Sequence, residues 1–229
     1  MKKVLSFLRR LQQNNNREWF QAHKDEYLEV QARWNELTED LIRCIGEYDP
    51  TVRDLQAKDC TFRIYRDVRF SKNKDPYKTH MGSYIFRGGK KSGYSGYYFH
   101  VTPGHDEWGF EGHMLAAGDY MADPRVLRVL REDIEGGDGD FDALVKEAAT
   151  AGFRLDDTLK LKRVPKGFNA DGPWAEYTKY KVYCLVANVD DDFILGADLA
   201  QRVADRYRVA RPLLDYVNRA IDYVREENL

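Results

Sequence analysis

The sequence predicts an α+β protein, with a mostly antiparallel sheet packed by a long N-terminal helix and by C-terminal helices. Three observations predict it. Apolar residues recur at helical spacing over the first fifty positions; the period changes to two between about residues 60 and 114, with glycine-rich turns between short runs; and helical spacing returns after residue 121.

Val4, Leu5, Leu8 and Leu11 mark a first short helix that Asn14, Asn15 and Asn16 break. The face Trp19, His23, Tyr27, Val30, Trp34, Leu37, Leu41, Ile45 then predicts one long helix capped by Asn15 or Asn16, so the helical segment covers about residues 2–48. From Phe62 to Phe70, Phe62, Ile64, Val68 and Phe70 alternate with charged or polar residues, as a half-buried strand does. Further strands are expected at Gly82 to Arg87, Tyr97 to Thr102 and Trp108 to Met114. The turns between them contain Gly88, Gly89 and Gly93, and then Pro103 and Gly104, with Lys90 and Lys91 at the tip of a basic hairpin. Asp123 and Pro124 open a helix through Val126, Leu127, Leu130 and Ile134, and another follows Gly139. After a loop from Lys162 to Phe168 come a strand between Tyr180 and Val189 and two helices from Asp198 onward.

A chain of 229 residues with 43% apolar and 32% charged residues is a folded globule of one expected domain, not a disordered or fibrous chain. Cys44, Cys60 and Cys184 are few, odd in number and without CxxC spacing, which fits a reducing cytoplasm. Ser6, Arg9 and Arg10 interrupt the apolar start, so neither a signal peptide nor a membrane anchor is expected.

The net charge of −2 is unevenly distributed. Residues 58–91 carry ten Lys or Arg against three Asp, a net +7, which leaves −9 on the rest. A local anion site fits this asymmetry better than a diffuse nucleic-acid coat. Arg63, Arg66 and Arg69 supply guanidinium forks, Asp67 lies between them to orient them, and Lys74 and Lys78 extend the field. Arg66 falls on the side of Ile64 and Val68, where a buried guanidinium requires an acid or a ligand.

The run Arg63-x-x-Arg66-Asp67-x-Arg69-Phe70 resembles the signature of the family called domain of unknown function 2461. Asn15-Asn16-Arg17-Glu18-Trp19-Phe20 with His23, Lys24 and Tyr27, then Asn73, Lys74, Pro76, Tyr77 and Lys78, and later Arg163, Pro165, Lys166, Gly167 and Phe168, extend the likeness over nearly the whole chain. The resemblance implies that Arg63, Arg66, Asp67, Arg69, Phe70, Asn73, Lys74 and Tyr77 are shared positions. It implies a location and not a reaction, and leaves any cofactor unknown.

The expected ligand is therefore a small, phosphorylated anion held by Arg63, Arg66, Asp67, Arg69, Asn73, Lys74, Tyr77 and Lys78, with binding and catalysis both open as its role. Two alternatives stand beside it: a nucleic-acid module using the basic hairpin and exposed tyrosines, and a structural or protein-interaction domain in which the arginines only fix the fold. If chemistry occurs, general acid or base work falls to Asp67, His100, Glu111 or His113. His100, His105, His113 and Glu111 lack any HExxH-like spacing, so no metal site is expected. His23 reads as a hydrogen-bonded core histidine, and no GxSxG elbow or Cys–His pair supports an acyl-transfer nucleophile.

Overall fold

The computed structural model describes residues 1–89, 92–106 and 110–227. In chain order its elements are α1 (Lys2–Gln13), α2 (Arg17–Ala22), α3 (Lys24–Gly46), a 3-10 turn (Pro50–Val52), α4 (Ala57–Cys60), β1 (Met81–Phe86), β2 (Gly96–Val101) and β3 (His113–Asp119). They continue with α5 (Pro124–Gly136), α6 (Asp140–Thr150), β4 (Arg154–Leu155), α7 (Ala175–Thr178), β5 (Tyr183–Val189), α8 (Asp191–Leu195) and α9 (Leu199–Glu226). The strands form an antiparallel sheet in the order β1-β2-β3-β5-β4, so the protein is α+β. Residues cluster into two compact units, one of Met1–Lys91, Tyr98–Leu115 and Asn188–Ala204, the other of Ser92–Tyr97, Ala116–Ala187 and Asp205–Leu229. Among the described residues no helix is long and apolar enough to cross a membrane.

In the first unit, α1 buries Val4, Leu5, Phe7, Leu8 and Leu11 along one stripe. The stripe of α3 runs Tyr27, Val30, Trp34, Thr38, Leu41, Ile45, and Trp34 lies flat on Phe99 with ring centroids 5.6 Å apart. Thr38 is polar within that stripe, and hydrogen bonding makes its burial tolerable: Oγ1 donates to the Trp34 carbonyl at 2.8 Å and meets Ser83 Oγ of β1 at 2.7 Å. The single helix expected from Trp19 to Ile45 is in fact two. At His23 the backbone leaves helical geometry (φ −115°, ψ 20°), while its ring stacks on Trp19 at 4.0 Å and its Nδ1 lies 2.8 Å from the Trp19 carbonyl. His23 is thus a half-exposed hinge residue and not part of the core face. Asn16 is the cap, its side chain accepting from the Trp19 N–H.

Strands β1 and β2 fall where period two places them. The run expected at Trp108 to Met114 is displaced to His113–Asp119, and Trp108 itself lies outside the described residues, as do Lys90 and Lys91 of the basic hairpin.

In the second unit, Asp123 caps α5 by accepting from the Arg125 N–H, and α5 buries Val126, Leu130 and Ile134. Phe141 of α6 packs edge-on against Tyr183 at 5.6 Å and lies 5.4 Å from Tyr216. The two C-terminal helices expected from Asp198 are one, α9, with Pro212 inside it. A mid-helix proline costs about 3 kcal/mol. Tyr207 and Ala210 before it and Leu213, Leu214 and Val217 after it are all buried, and packing on both sides holds the helix through the break. Cys44, Cys60 and Cys184 are buried thiols, and burial pushes the Cys184 thiol well above its usual range.

Candidate functional site

Between α4 and β1 the chain makes a two-legged arm of residues 62–78. Just before it Thr61 bridges to Ser83 of β1, and its legs touch through the isolated bridge of Tyr65 with Tyr77 and through two backbone bonds, Arg66 N–H to the Pro76 carbonyl at 2.9 Å and Lys78 N–H to the Ile64 carbonyl at 2.8 Å. The strand expected from Phe62 to Phe70 is therefore absent. The alternation there reflects a locally extended leg that pairs briefly with its own return leg, where Pro76 offers no N–H, and joins no ladder.

The root of the arm is anchored. Ile64 and Tyr77 are buried, and Tyr77 stacks on Phe20 with centroids 3.9 Å apart. Asn15 in the α1–α2 break acts as a surrogate strand: its Oδ1 accepts from the Tyr77 N–H at 3.1 Å and its Nδ2 donates to the Tyr77 carbonyl at 2.9 Å.

Beyond the root the side chains are exposed or half-exposed. Arg66 meets no protein acid among the described residues; Nη1 donates to the Asp75 carbonyl at 2.8 Å, and Nη2 reaches Ser71 Oγ at 3.4 Å. It staples the two legs, and because it is half-exposed, not buried, the expectation of a buried guanidinium that requires an acid or a ligand is corrected. Lys74 donates to the Val68 carbonyl at 2.9 Å, and Asn73 Oδ1 accepts from the Asp75 N–H at 2.8 Å, shaping the turn. Asp67 pairs with Arg69, Oδ2 to Nη2 at 2.6 Å, and does not bridge Arg63 and Arg69. The Arg69 guanidinium and backbone N–H together hold the Asp67 carboxyl down to about 2, so it is ionised at neutral pH and has no proton to donate. Lys78 lies over the Phe62 ring at 5.3 Å, and Phe70 at the tip is 97% exposed with Arg69 over its ring at 5.9 Å.

His100, His105, His113 and Glu111, from which no metal site was expected, do not come together as one group. Exposed His105 and Glu111 face each other at 3.5 Å across a bridge. His113 lies deep, where the Thr102 N–H donates to its Nδ1 at 3.2 Å; the ring proton therefore resides on Nε2, which is 2.9 Å from Asp191 Oδ1. Both nitrogens are engaged, so His113 is a fixed structural tautomer and not a base facing a ligand. His100 instead joins two residues that spacing did not single out, His80 and Asp106, and these three could hold a metal.

Over residues 3–216 the chain is matched by the model of a family described as conserved hypothetical protein (DUF2461). The chain belongs to the DUF2461 family. No curated protein and no solved structure matches it. In this DUF2461 protein the matched span includes the arm, its Asn15 anchor and the His80, His100, Asp106 group.

One pH dependence follows for this DUF2461 chain. The hydrogen bond from His113, with Arg9 at 2.7 Å, lowers the Asp191 carboxyl below its unfolded value. A depressed carboxylate contributes stability above its unfolded pKa of about 3.9 and loses it as pH falls through the folded value. Asp191→Asn should therefore flatten the acid limb of a Tm-against-pH curve below about pH 4.

Proposed function

We propose that the arm of residues 62–78 binds a phosphate-bearing anion. The observation that carries this reading is that Arg63, Arg66, Lys72 and Lys74 form no close ion pair among the described residues, although the arm also holds Asp67, which pairs with Arg69 and feels Arg63 only at longer range, and Asp75. Cations gathered at one place in excess of their counter-ions repel one another, a cost that an incoming anion relieves. Arg66 and Lys74 spend donors on backbone carbonyls that fix the arm's shape, Asn73 and Tyr77 shape the turn and the root, and Asp67 orients Arg69. Arg63, Lys72, the outer edge of Arg69 and Lys78 then present charge to the ligand.

A specific observation favours a second reading, in which the anion is a single-stranded nucleic acid. Phe62, Tyr65 and Phe70 are 43, 46 and 97% exposed and alternate along the arm with its cations. Bases stack on such rings for about 1–3 kcal/mol each while Lys and Arg follow the backbone phosphates.

Salt dependence separates the readings. If Arg63, Arg69, Lys72 and Lys78 all neutralise phosphates of one strand, log K against log salt for a labelled short single strand has a slope of roughly −3, at about −0.7 per phosphate. A compact phosphate monoester held at one point shows a shallow slope and competes with the strand. Binding that is indifferent both to salt and to Arg63→Ala/Lys72→Ala would remove the arm from either reading.

A further inference from the structure

We infer that His80, His100 and Asp106 form a binding site for one divalent first-row transition-metal ion, independent of what the arm binds. The site is assembled by the β1–β2 hairpin. Gly82 lies against Tyr98 so closely that a Cβ there would stand 2.8 Å from the phenol oxygen. Two residues on toward the same end of the antiparallel pair, at the side-chain period of a strand, His80 faces His100 with imidazole centroids 4.5 Å apart.

The third member arrives on a pinned loop. Gly112 N–H donates to the Gly104 carbonyl at 2.7 Å and Asp106 N–H to the Phe110 carbonyl at 3.0 Å, while Asp106 Oδ1 accepts from the Phe110 N–H at 2.9 Å. This leaves Oδ2 directed between the imidazoles, 3.8 Å from His80 Nδ1 and 3.7 Å from His100 Nε2, with the ligand atoms of all three residues within 4.8 Å of one another. The side chains are 3, 1 and 0% exposed.

Direct N–H to O bonds span about 2.7–3.2 Å, and both separations from Asp106 exceed that. Two donors bound at about 2.1 Å to one ion stand about 3.4 Å apart in a tetrahedral site, so Asp106 Oδ2 closes on each imidazole nitrogen by a few tenths of an ångström and the two stacked rings turn to point both nitrogens at the ion. His100 Nδ1 is 3.0 Å from Tyr98 Oη, the outer bond a ligating imidazole makes: with metal on Nε2, the Nδ1–H donates to the phenol oxygen and fixes ring and tautomer. Two imidazoles and one carboxylate select zinc, iron, cobalt or manganese over magnesium or calcium, which prefer all-oxygen shells. Three protein ligands among the described residues leave coordination positions beyond those they fill.

The test uses the full chain, stripped with EDTA and titrated with Co2+ as a spectroscopic stand-in. One equivalent should bind, with visible ligand-field bands that Zn2+ abolishes, and Asp106→Asn should weaken binding at least tenfold while His105→Ala leaves it unchanged. In case the buried substitution prevents folding, Co2+-loaded wild type carries an independent reading in its NMR spectrum. Two exchangeable, hyperfine-shifted imidazole N–H signals are expected, one from His80 and one from His100. Absence of stoichiometric Co2+ binding to wild type, full-strength binding by folded Asp106→Asn, or any count of shifted imidazole signals other than two would overturn the site.

Discussion

Gly118→Ala should destabilise the protein by more than about 4 kcal/mol, enough to remove its cooperative urea transition. Two costs combine. Gly118 has φ +136°, a region L-residues avoid, and its added Cβ would lie 2.7 Å from Cys184 Cα and closer still to the Tyr183 carbonyl oxygen. Those atoms are backbone of β5, the neighbour of β3 in the sheet, so no rotamer change relieves the overlap. Gly112→Ala is the control: φ is +71° but nothing lies within 4 Å of the added carbon, so only the conformational term of about 1 kcal/mol applies. Equal losses for the two variants, read from urea midpoints, would contradict the close approach of β3 and β5.

Asn15→Ala should cost about 2–4 kcal/mol, a large effect for a half-exposed polar residue. It removes two hydrogen bonds worth about 1 kcal/mol each and leaves the N–H and carbonyl of Tyr77, a residue that is itself buried, to find other partners. The loss is local as well as global. With the return leg no longer held against the α1–α2 break, trypsin should cleave the arm at Arg66 and Arg69 faster than in wild type, and the Tyr77 amide should exchange faster. Asn15→Asp keeps the acceptor, loses the donor and sets a charge against the Tyr77 carbonyl, so its protection should fall between wild type and alanine or below both. Unchanged amide exchange at Tyr77 in Asn15→Ala would show that the Phe20 stack alone anchors the arm.

Helices were legible wherever period and cap agreed. The stripe of α1 and the Asp123–Pro124 opening of α5 need only local information. Pro212 and His23 show where that information fails: the same apolar period runs through a proline that tertiary packing overrides and through a histidine at which the backbone turns. In residues 62–70 the two-residue period indicated a strand that does not form, since alternation is not pairing, and whether a leg joins a sheet depends on partners far away in sequence. Arg66 was visible as an anomaly in that pattern, but its partner, the Asp75 carbonyl, is a backbone atom that carries no mark in the sequence.

The histidines give the sharpest contrast. His100, His105, His113 and Glu111 are close in the chain and were grouped for that reason, whereas the structure distributes them among three different partners. His80 and Asp106 lie 20 and 6 residues from His100, and only the hairpin register that sets Gly82 against Tyr98 brings His80 onto it. That register could have been guessed from Gly82 as the small residue facing a tyrosine, a signal too weak to act on without the paired strand.

The arm's cationic surface is tested most directly by thermal unfolding of the full chain and of Arg63→Ala/Lys72→Ala, each with inorganic phosphate, a sugar phosphate and a short single-stranded oligonucleotide. A ligand that binds the native state raises Tm in proportion to ln(1 + [L]/Kd). The expected result is a rise in wild type with at least one of the three ligands, and little or no rise in the double variant, whose own Tm stays close to wild type because both side chains are exposed. No rise with any ligand, or an equal rise in both proteins, would contradict the reading of residues 62–78 as an anion-binding arm.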